Sequence, residues 1–139
     1  HGNEPCHQIA YLYNKAGVPW KTQQRIHHIL NTEYNDTPGG LSGNDDAGQM
    51  SAWYMFSAIG FYPVCPATPY YYIGTPSFDK VTFNLENGRK FEIVAEGVDD
   101  DNFYIQQVDL NGKSGYYLSH DDLLKGGKLS FRMGNSPKY

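Results

Sequence analysis

The sequence predicts an α+β fold, in which N-terminal α-helices are followed by an antiparallel β-sheet or sandwich region. Three segments before residue 66 repeat apolar residues at helical spacing, and six later segments are rich in β-branched and aromatic residues. Because the helices precede the strands instead of alternating with them, a parallel βαβ sheet is not expected. We therefore divide the chain into a helical segment, 1–66, and a β segment, 67–139.

Three helices are predicted, at 5–16, 21–34 and 47–59. Pro5 suits a first helical position, Gly17 ends the first helix, and Gly60 ends the third. The residues predicted to face the core are Ile9, Leu12, Tyr13 and Ala16 in the first helix, Ile26, Ile29 and Leu30 in the second, and Met50, Trp53, Tyr54, Ser57 and Ala58 in the third.

The β segment contains six predicted strands and two predicted tight turns. The strands are 70–73, 80–85, 90–95, 103–110, 115–118 and 128–133. Asn87-Gly88 and Asn111-Gly112 are typical of two-residue hairpin turns, because both residues tolerate a positive φ. Ser119 is predicted to cap a short helical turn between the last two strands.

Composition excludes several classes of partner. The net charge is −4 without any basic run, so neither nucleic acid nor an anionic membrane surface is an expected partner. No apolar stretch reaches the ~20 residues that span a bilayer. The chain starts at His1 without a methionine, which we interpret as a piece of a longer protein. An oxidising compartment would allow a disulfide between Cys6 and Cys65, but we favour two buried, unpaired thiols.

Residues 43–50, Gly-Asn-Asp-Asp-Ala-Gly-Gln-Met, put two carboxylates among glycines at the start of the third helix. A structural interpretation is that Asp46 and Gln49 form a capping box. A functional interpretation is that the glycines bring the backbone close to a ligand, and that a carboxylate at a helix N-terminus stays ionised, as a general base requires. The sequence alone leaves both interpretations open.

Residues 1–7, His-Gly-Asn-Glu-Pro-Cys-His, place Asn3 and Glu4 before the first helix. An acidic residue is stabilised at a helix start by the helix dipole, which is the structural interpretation. The functional one is that an amide oxygen and a carboxylate are ligands for a hard cation such as Ca²⁺, although this is not an EF-hand loop. His1 and His7 flank the pair, and each fits a hydrogen-bonding role better than a metal-binding one.

Longer motifs resemble glycoside hydrolase family 92. In chain order they are His1-Gly-Asn-Glu-Pro, Tyr11-Leu-Tyr-Asn, Pro19-Trp-Lys-Thr-Gln, Gly43-Asn-Asp-Asp-Ala-Gly-Gln-Met-Ser-Ala-Trp-Tyr and Gly60-Phe-Tyr-Pro-Val. A Phe-Arg-Met-Gly-Asn finish at 131–135 also resembles the C-terminal end of that family. Five long motifs in a fixed order are a specific signal.

The resemblance implies a calcium-dependent exo-α-mannosidase that inverts configuration and acts on mannose-rich glycans. Members are largely bacterial and exported to the periplasm, cell surface or medium, and their fold pairs an N-terminal β-sandwich with an (α/α)6 barrel. By this resemblance, 1–66 would be the last helices of that barrel and 67–139 would close the C-terminus. The implied partners are a mannose-containing glycan, the upstream barrel helices and the N-terminal β-sandwich.

The resemblance also implies roles for particular residues. Asp46 would be the general base, Asn44 or Asp45 would help to hold the attacking water, and Asn3 and Glu4 would sit at the calcium ion. We assign substrate binding to the neighbouring His1, His7 and Gln49. The resemblance also implies a general acid on a glutamate upstream of His1, with Glu4 as the less favoured alternative. The acid and base of an inverting pair are expected to stand ~6.5–9.5 Å apart, so that a water fits between them.

Two other functions compete with catalysis. The 12 tyrosines, many of them in the β segment, also suit a non-catalytic carbohydrate-binding module, because sugar C–H faces pack on aromatic rings. Alternatively, the acidic turns are only helix caps in a purely structural piece. On either ground we expect the isolated 139-residue chain to be inactive by itself.

Overall fold

The computed structural model describes residues 1–139, and it contains four α-helices and seven strands. The helices are α1 (Leu12–Lys15), α2 (Pro19–Thr32), α3 (Gln49–Ile59) and α4 (His120–Leu124). The strands are β1 (Phe61–Tyr62), β2 (Tyr70–Ile73), β3 (Lys80–Asn84), β4 (Lys90–Glu96), β5 (Tyr104–Leu110), β6 (Tyr117–Ser119) and β7 (Gly127–Gly134). The α+β class is therefore confirmed, and the assignment of α1–α3 to an (α/α)6 barrel stays a prediction.

The first predicted helix is wrong in both form and orientation. Residues 5–16 form two 3-10 turns, Glu4–Cys6 and Ile9–Tyr11, followed by the single turn of α1. The predicted core residues Ile9 and Leu12 are 53% and 44% exposed. The buried residues are His7, Ala10, Tyr11 and Asn14. The buried residues are thus still three or four positions apart, but they lie on the face next to the predicted one. Hydrogen bonds from polar side chains determine which face is buried.

Those polar groups bond to the β segment and to α3. Asn14 Nδ2 donates to the Ile73 carbonyl over 2.7 Å, and the Tyr11 and Ser57 hydroxyls are 2.8 Å apart. Burying a polar side chain costs free energy unless it finds such a partner. Periodicity of apolar residues alone could not predict these bonds, and so it selected the wrong face.

Helices α2 and α3 match their predictions closely. Ile26 and Leu30 of α2 are buried, and so are Met50, Trp53, Ser57 and Ala58 of α3, whereas Tyr54 is 38% exposed. None of the helices combines the length and hydrophobicity that a transmembrane span requires.

The strands form two sheets, and the prediction of a wholly antiparallel region is wrong. One sheet has the order β1-β2-β6 and is antiparallel. The other has the order β3-β4-β7-β5, and its central pair β4–β7 is parallel, because the chain crosses to the first sheet between β5 and β7. Asn87-Gly88 lies in the β3–β4 hairpin as predicted. Asn111-Gly112 turns the chain but closes only one bridge, Leu110 to Lys113, so no hairpin follows it.

Two clusters of buried side chains make up the core. The larger joins the two sheets and contains Phe61, Phe91, Ile105 and Leu129. The smaller lies among the helices and contains Tyr11, Ile26, Trp53 and Tyr62. Phe56 of α3 packs against both. The Ser119 cap of α4 is confirmed, since its hydroxyl accepts the Asp122 N–H. Both cysteines are unpaired as favoured, but neither is buried as predicted, since Cys6 is only partly buried and Cys65 is exposed.

Candidate functional site

The two acidic turns predicted to be functional lie against each other. Gly2 of the first turn packs on the backbone of Ser42, and Gly43 of the second packs on the backbone of Gly2. A Cβ atom at either glycine would overlap a main-chain oxygen of the opposite turn. Only glycine permits so close an approach of two backbones. The glycines that flank the acidic residues therefore join the two motifs into one site.

The second turn has an unusual backbone immediately before α3. Asp46, Ala47 and Gly48 have φ angles of 49°, 58° and 93°, so three consecutive residues occupy the left-handed region. For an L-residue this conformation costs roughly 1–2 kcal/mol, and such strain concentrates at functional sites. The Asp46 side chain on this turn contacts Glu4 of the other acidic turn.

The capping box predicted from Asp46 and Gln49 is wrong. The N-cap residue of α3 is Gly48, which has no side chain to cap the helix. Asp45 takes the structural role instead, because its Oδ1 accepts hydrogen bonds from the Ser51 N–H at 2.9 Å and from the Ser51 hydroxyl at 2.8 Å. The structural interpretation therefore accounts for Asp45, and the exposed carboxyl group of Asp46 has no part in capping the helix.

The carboxyl groups of Glu4 and Asp46 lie within hydrogen-bonding reach of each other. This contact with Glu4 raises the pKa of Asp46 above its usual range. The pKa of Glu4 is lowered, first by a hydrogen bond from its own backbone N–H and then by Asp46. The ion pairs of the structure are Lys80–Glu92 and Lys125–Asp122, so no lysine or arginine neutralises this acidic pair, and the basic group that acts on Glu4 is the imidazole of His7.

A layer of rings lies next to the acidic pair. The imidazole of His1 packs on Trp53, with ring centroids 4.1 Å apart, and on His7 at 5.1 Å. His1 Nε2 is 2.6 Å from the hydroxyl of Tyr34. Burial raises the pKa of Tyr34, so its hydroxyl keeps its proton at neutral pH. His1 is therefore held in one orientation against Trp53, His7 and Tyr34.

His7 lies deeper than His1. It is 2% exposed, its carbonyl accepts the Trp53 Nε1–H at 2.9 Å, and its Nε2 is buried without a hydrogen-bond partner. Burial lowers the pKa of His7, which favours a neutral ring. Gln49 is exposed at the edge of this layer, with its Nε2 3.4 Å from His7 Nδ1 and 3.3 Å from the Tyr62 hydroxyl. The roles of His1, His7 and Gln49 in substrate binding stay predictions.

Asn3 and Asn44 lie on the exposed side of the two turns. The Asn3 side chain does not cap the following 3-10 turn, which leaves its amide oxygen free for a ligand. No group of three or more His, Cys, Asp or Glu side chains in this chain is arranged to hold a metal ion. Any metal centre here would therefore need oxygen ligands in addition to Glu4 and Asp46.

Two residues that position the site were not predicted from the sequence. Tyr34 was interpreted only as the end of a helix, and Ser51 only as a helical residue. Both act through side-chain hydrogen bonds to residues far along the chain or on a neighbouring turn, to His1 and Asp45 respectively. No periodicity or motif carries that information, whereas the Gly-Asn-Asp-Asp and His-Gly-Asn-Glu motifs did mark the two turns.

Comparison with known proteins identifies the family of the chain. Residues 1–135 match the profile of the glycosyl hydrolase family 92 catalytic domain. A protein of Arthroderma benhamiae described as an uncharacterized secreted glycosidase is 33% identical over an aligned length of 138 residues, and the match covers 96% of this chain and 18% of the relative. These matches indicate a chain of the glycoside hydrolase class.

Solved structures narrow the assignment. A family GH92 α-mannosidase of Bacteroides thetaiotaomicron, determined in complex with mannoimidazole, superposes with a TM-score of 0.94 and 48% identity, over 100% of this chain and 19% of that protein. An inverting family GH92 mannosidase of the same bacterium gives a TM-score of 0.92 and 45% identity, over 99% and 19%. The chain belongs to glycosyl hydrolase family 92. It spans about a fifth of the length of these relatives.

Proposed function

We propose that the protein carrying this chain is a calcium-dependent exo-α-mannosidase that inverts configuration and acts on mannose-rich glycans. The observation that carries the proposal is the Glu4–Asp46 pair, which two glycine contacts hold beside a wall of rings in a family 92 chain. Two structural relatives are described as α-mannosidase and as inverting mannosidase, and this supports both the substrate and the stereochemistry.

Asp46 is the general base in this proposal. It is exposed on a strained turn and takes no part in helix capping, so its carboxylate can accept a proton from an attacking water. Asp45 is tied to Ser51 through one oxygen, and its second oxygen remains to orient that water together with Asn44. The two aspartates have different roles because one oxygen of Asp45 is already hydrogen-bonded to Ser51, whereas the Asp46 side chain makes no bond to the helix.

Glu4 is not the acid partner of Asp46. The carboxyl groups of an inverting pair stand roughly 6.5–9.5 Å apart so that a water fits between the base and the sugar. Glu4 and Asp46 are within hydrogen-bonding reach of each other, which is too close for that arrangement. The general acid therefore comes from another part of the full-length protein, and the 139-residue chain alone is inactive.

The chemistry of the donor set suits calcium. Two carboxyl groups in contact, without a lysine or arginine partner and with the uncommitted amide oxygen of Asn3 next to Glu4 in the sequence, are hard oxygen donors whose repulsion a divalent cation would remove. Asn3 and Glu4 would hold the ion, and the rest of its six to eight oxygens would come from water, substrate and the remainder of the protein. When bound, calcium supplies positive charge and a template for sugar hydroxyls.

The ring layer orients the substrate. His1 and Gln49 lie at its surface and can donate hydrogen bonds to sugar hydroxyls, while the buried His7 stacks on His1 and lies within 3.4 Å of Gln49, so that it supports both from behind. The secreted fungal relative supports an exported location, and the bacterial structures support a bacterial source. The remaining partners are the glycan and the rest of the full-length chain, namely the upstream barrel helices and the N-terminal β-sandwich.

The test is hydrolysis of α-linked mannobiose by the full-length protein, with the first-formed anomer followed by NMR. We expect release of β-mannose, loss of activity with a calcium chelator, and recovery when calcium is added back. Release of α-mannose, or full activity in the chelator, would contradict the proposal.

A non-catalytic carbohydrate-binding function is the second candidate. Its support is an exposed aromatic surface on the first sheet, where Tyr70 and Tyr117 are 53% and 45% exposed. If this is the function, glycan binding survives both Asp46→Asn and chelation, and is lost in Tyr117→Ala.

A further inference from the structure

A cavity of about 360 Å³ lies next to the candidate site and takes no part in the proposed chemistry. It is open to solvent on one side and bounded by the loop that follows α2 and by the first turns of α3, and its lining includes Tyr34, Asn35, Asp36, Ser51 and Tyr54. Protein cavities that hold small ligands occupy roughly 300–1,000 Å³. This one is at the lower end of that range, which suits one or two sugar rings.

Two hydrogen bonds connect the wall of the cavity to the candidate site. Tyr34 lines the cavity and its hydroxyl bonds to His1 over 2.6 Å. Ser51 also lines it and bonds to Asp45 over 2.8 Å. One side chain therefore separates the cavity from His1, and another separates it from the Asp45-Asp46 turn. A glycan that reaches the acidic pair is close enough to place a second residue here.

The lining combines aromatic rings with hydrogen-bonding groups. The rings of Tyr34 and Tyr54 are 4.9 Å apart and tilted by 49°, and Tyr54 is partly exposed. The carboxylate of Asp36 is exposed and forms no ion pair. A pyranose has apolar C–H faces that pack on aromatic rings and hydroxyls that donate to a carboxylate. Asp36, with Asp45 nearby, repels an anionic ligand, so the lining favours a neutral sugar.

The loop wall of the cavity is held in shape by its own hydrogen bonds. The Asn35 N–H donates to the Gly40 carbonyl at 3.0 Å, and the Gly40 N–H donates to the Thr37 carbonyl at 2.9 Å. A Cβ at Gly40 would overlap the Asn35 carbonyl oxygen, so the loop closes tightly at that glycine. A preformed wall reduces the entropy lost when a ligand binds.

We propose that this cavity is a second sugar-binding subsite, which holds a neutral pyranose of the glycan other than the one whose bond is cleaved. The inference rests on the proposed function, because it takes the ligand to be the glycan bound at the acidic pair. Tyr54 packs against the sugar ring, and Asp36 accepts hydrogen bonds from its hydroxyls. The subsite makes the enzyme favour longer glycans over single-sugar glycosides.

The test compares two substrates of the full-length protein, 4-nitrophenyl α-mannoside and an α-linked mannotetraose. We expect Tyr54→Ala and Asp36→Ala each to lower kcat/KM for mannotetraose roughly tenfold, chiefly through KM, because stacking and hydroxyl contacts are lost. Both variants keep kcat/KM for the aryl mannoside within about twofold of wild type, since that substrate does not reach the subsite. Phe78→Ala, which removes an exposed aromatic ring just before β3, is the matched control and changes neither value.

Calorimetric binding of mannotetraose separates this inference from the proposed function. If the wild-type protein cleaves neither substrate but binds mannotetraose, and Tyr54→Ala and Asp36→Ala weaken that binding, the subsite stands and the catalytic proposal fails. If the wild type is active and the variants lower both substrates equally or leave both unchanged, the subsite is overturned. A lower Tm in Tyr54→Ala with equal losses on both substrates would mean that another part of the protein packs in the cavity, and this too would overturn it. If Tyr54→Ala does not fold, Asp36→Ala still tests the subsite, because Asp36 lies on an exposed loop.

Discussion

Gly2 and Gly43 pack backbone against backbone, and this contact brings the carboxyl groups of Glu4 and Asp46 together from distant parts of the chain. Each glycine lies within three residues of the acidic residue that it positions. The acidic site therefore depends on glycine at both positions, because any side chain there would keep the two turns apart.

Gly43→Ala should disrupt this contact. The added methyl group overlaps the Gly2 carbonyl, so the turns must separate, at a cost of about 1–3 kcal/mol. We expect a lower Tm and loss of most activity in the full-length protein, by thermal unfolding and mannobiose hydrolysis. Gly39→Ala is the control, because a Cβ there meets nothing within 4 Å. Equal effects of the two variants would mean that the contact does not hold the site.

Substitutions of Asp45 and Asp46 should have different effects on thermal stability. Asp45→Ala removes the acceptor of two Ser51 hydrogen bonds, and loss of such a helix-start bond costs about 1 kcal/mol. Asp46→Asn removes no helix cap and relieves repulsion with Glu4, so Tm should stay the same or rise. Thermal unfolding without added calcium measures both. A larger loss of stability in Asp46→Asn than in Asp45→Ala would mean that the charge of Asp46 stabilises the fold more than the two Ser51 hydrogen bonds of Asp45 do.

Ala47→Gly tests the strain in the turn before α3. Ala47 has a φ of 58°, where an L-residue is disfavoured by about 1–2 kcal/mol and glycine is not. The substitution should therefore raise the free energy of unfolding, offset in part by the greater entropy of an unfolded glycine. Gly48→Ala, at a φ of 93°, should lower it. Denaturant unfolding of both variants gives the two signs, and the same sign for both would refute the assignment of strain.

His27 should make stability depend on pH near neutrality. Burial, with its ring 3.9 Å from Phe103, lowers the pKa of His27 below the usual 6.5, although the charge of Asp100 opposes this shift. Because the folded-state pKa lies below the unfolded value, the stabilisation is complete above pH 6.5 and is lost as the pH falls through 6.5 toward the folded value. We expect His27→Gln to flatten the decrease in Tm between about pH 7.5 and 5.5.

The exposed His28 provides the comparison for that prediction. His28→Gln should leave the slope of Tm against pH close to that of wild type. If the slope flattens in His28→Gln and not in His27→Gln, the pH dependence comes from His28, and the prediction for His27 is wrong.

Much of the fold follows from the sequence, since α2, α3 and the strands are set by local spacing. The exposed Ile9 and the buried Asn14 show where this fails, because the hydrogen bond from Asn14 to Ile73 joins segments far apart in the chain. The parallel pair β4–β7 also depends on a long-range crossover that no local turn signals. Tertiary bonds override local pattern in each case.

The sequence motifs locate the site but do not assign roles to its residues. The sequence marked Asp45 and Asp46 together and could not tell the cap from the candidate base. The backbone angles of Asp46 and Ala47 separate the two roles, because they turn one carboxylate toward α3 and the other toward Glu4. Tyr34 and its bond to His1 lay outside any motif.

The most direct test of the catalytic account is azide rescue of Asp46→Gly in the full-length protein, assayed with an aryl α-mannoside. Glycine suits the positive φ at this position, so the variant should fold, and it leaves space for a small nucleophile. We predict that the variant loses hydrolysis by roughly 10²–10⁴-fold and regains turnover with azide, which needs no general base, giving β-mannosyl azide. Undiminished hydrolysis by Asp46→Gly, or formation of α-mannosyl azide, would contradict Asp46 as the base of an inverting reaction.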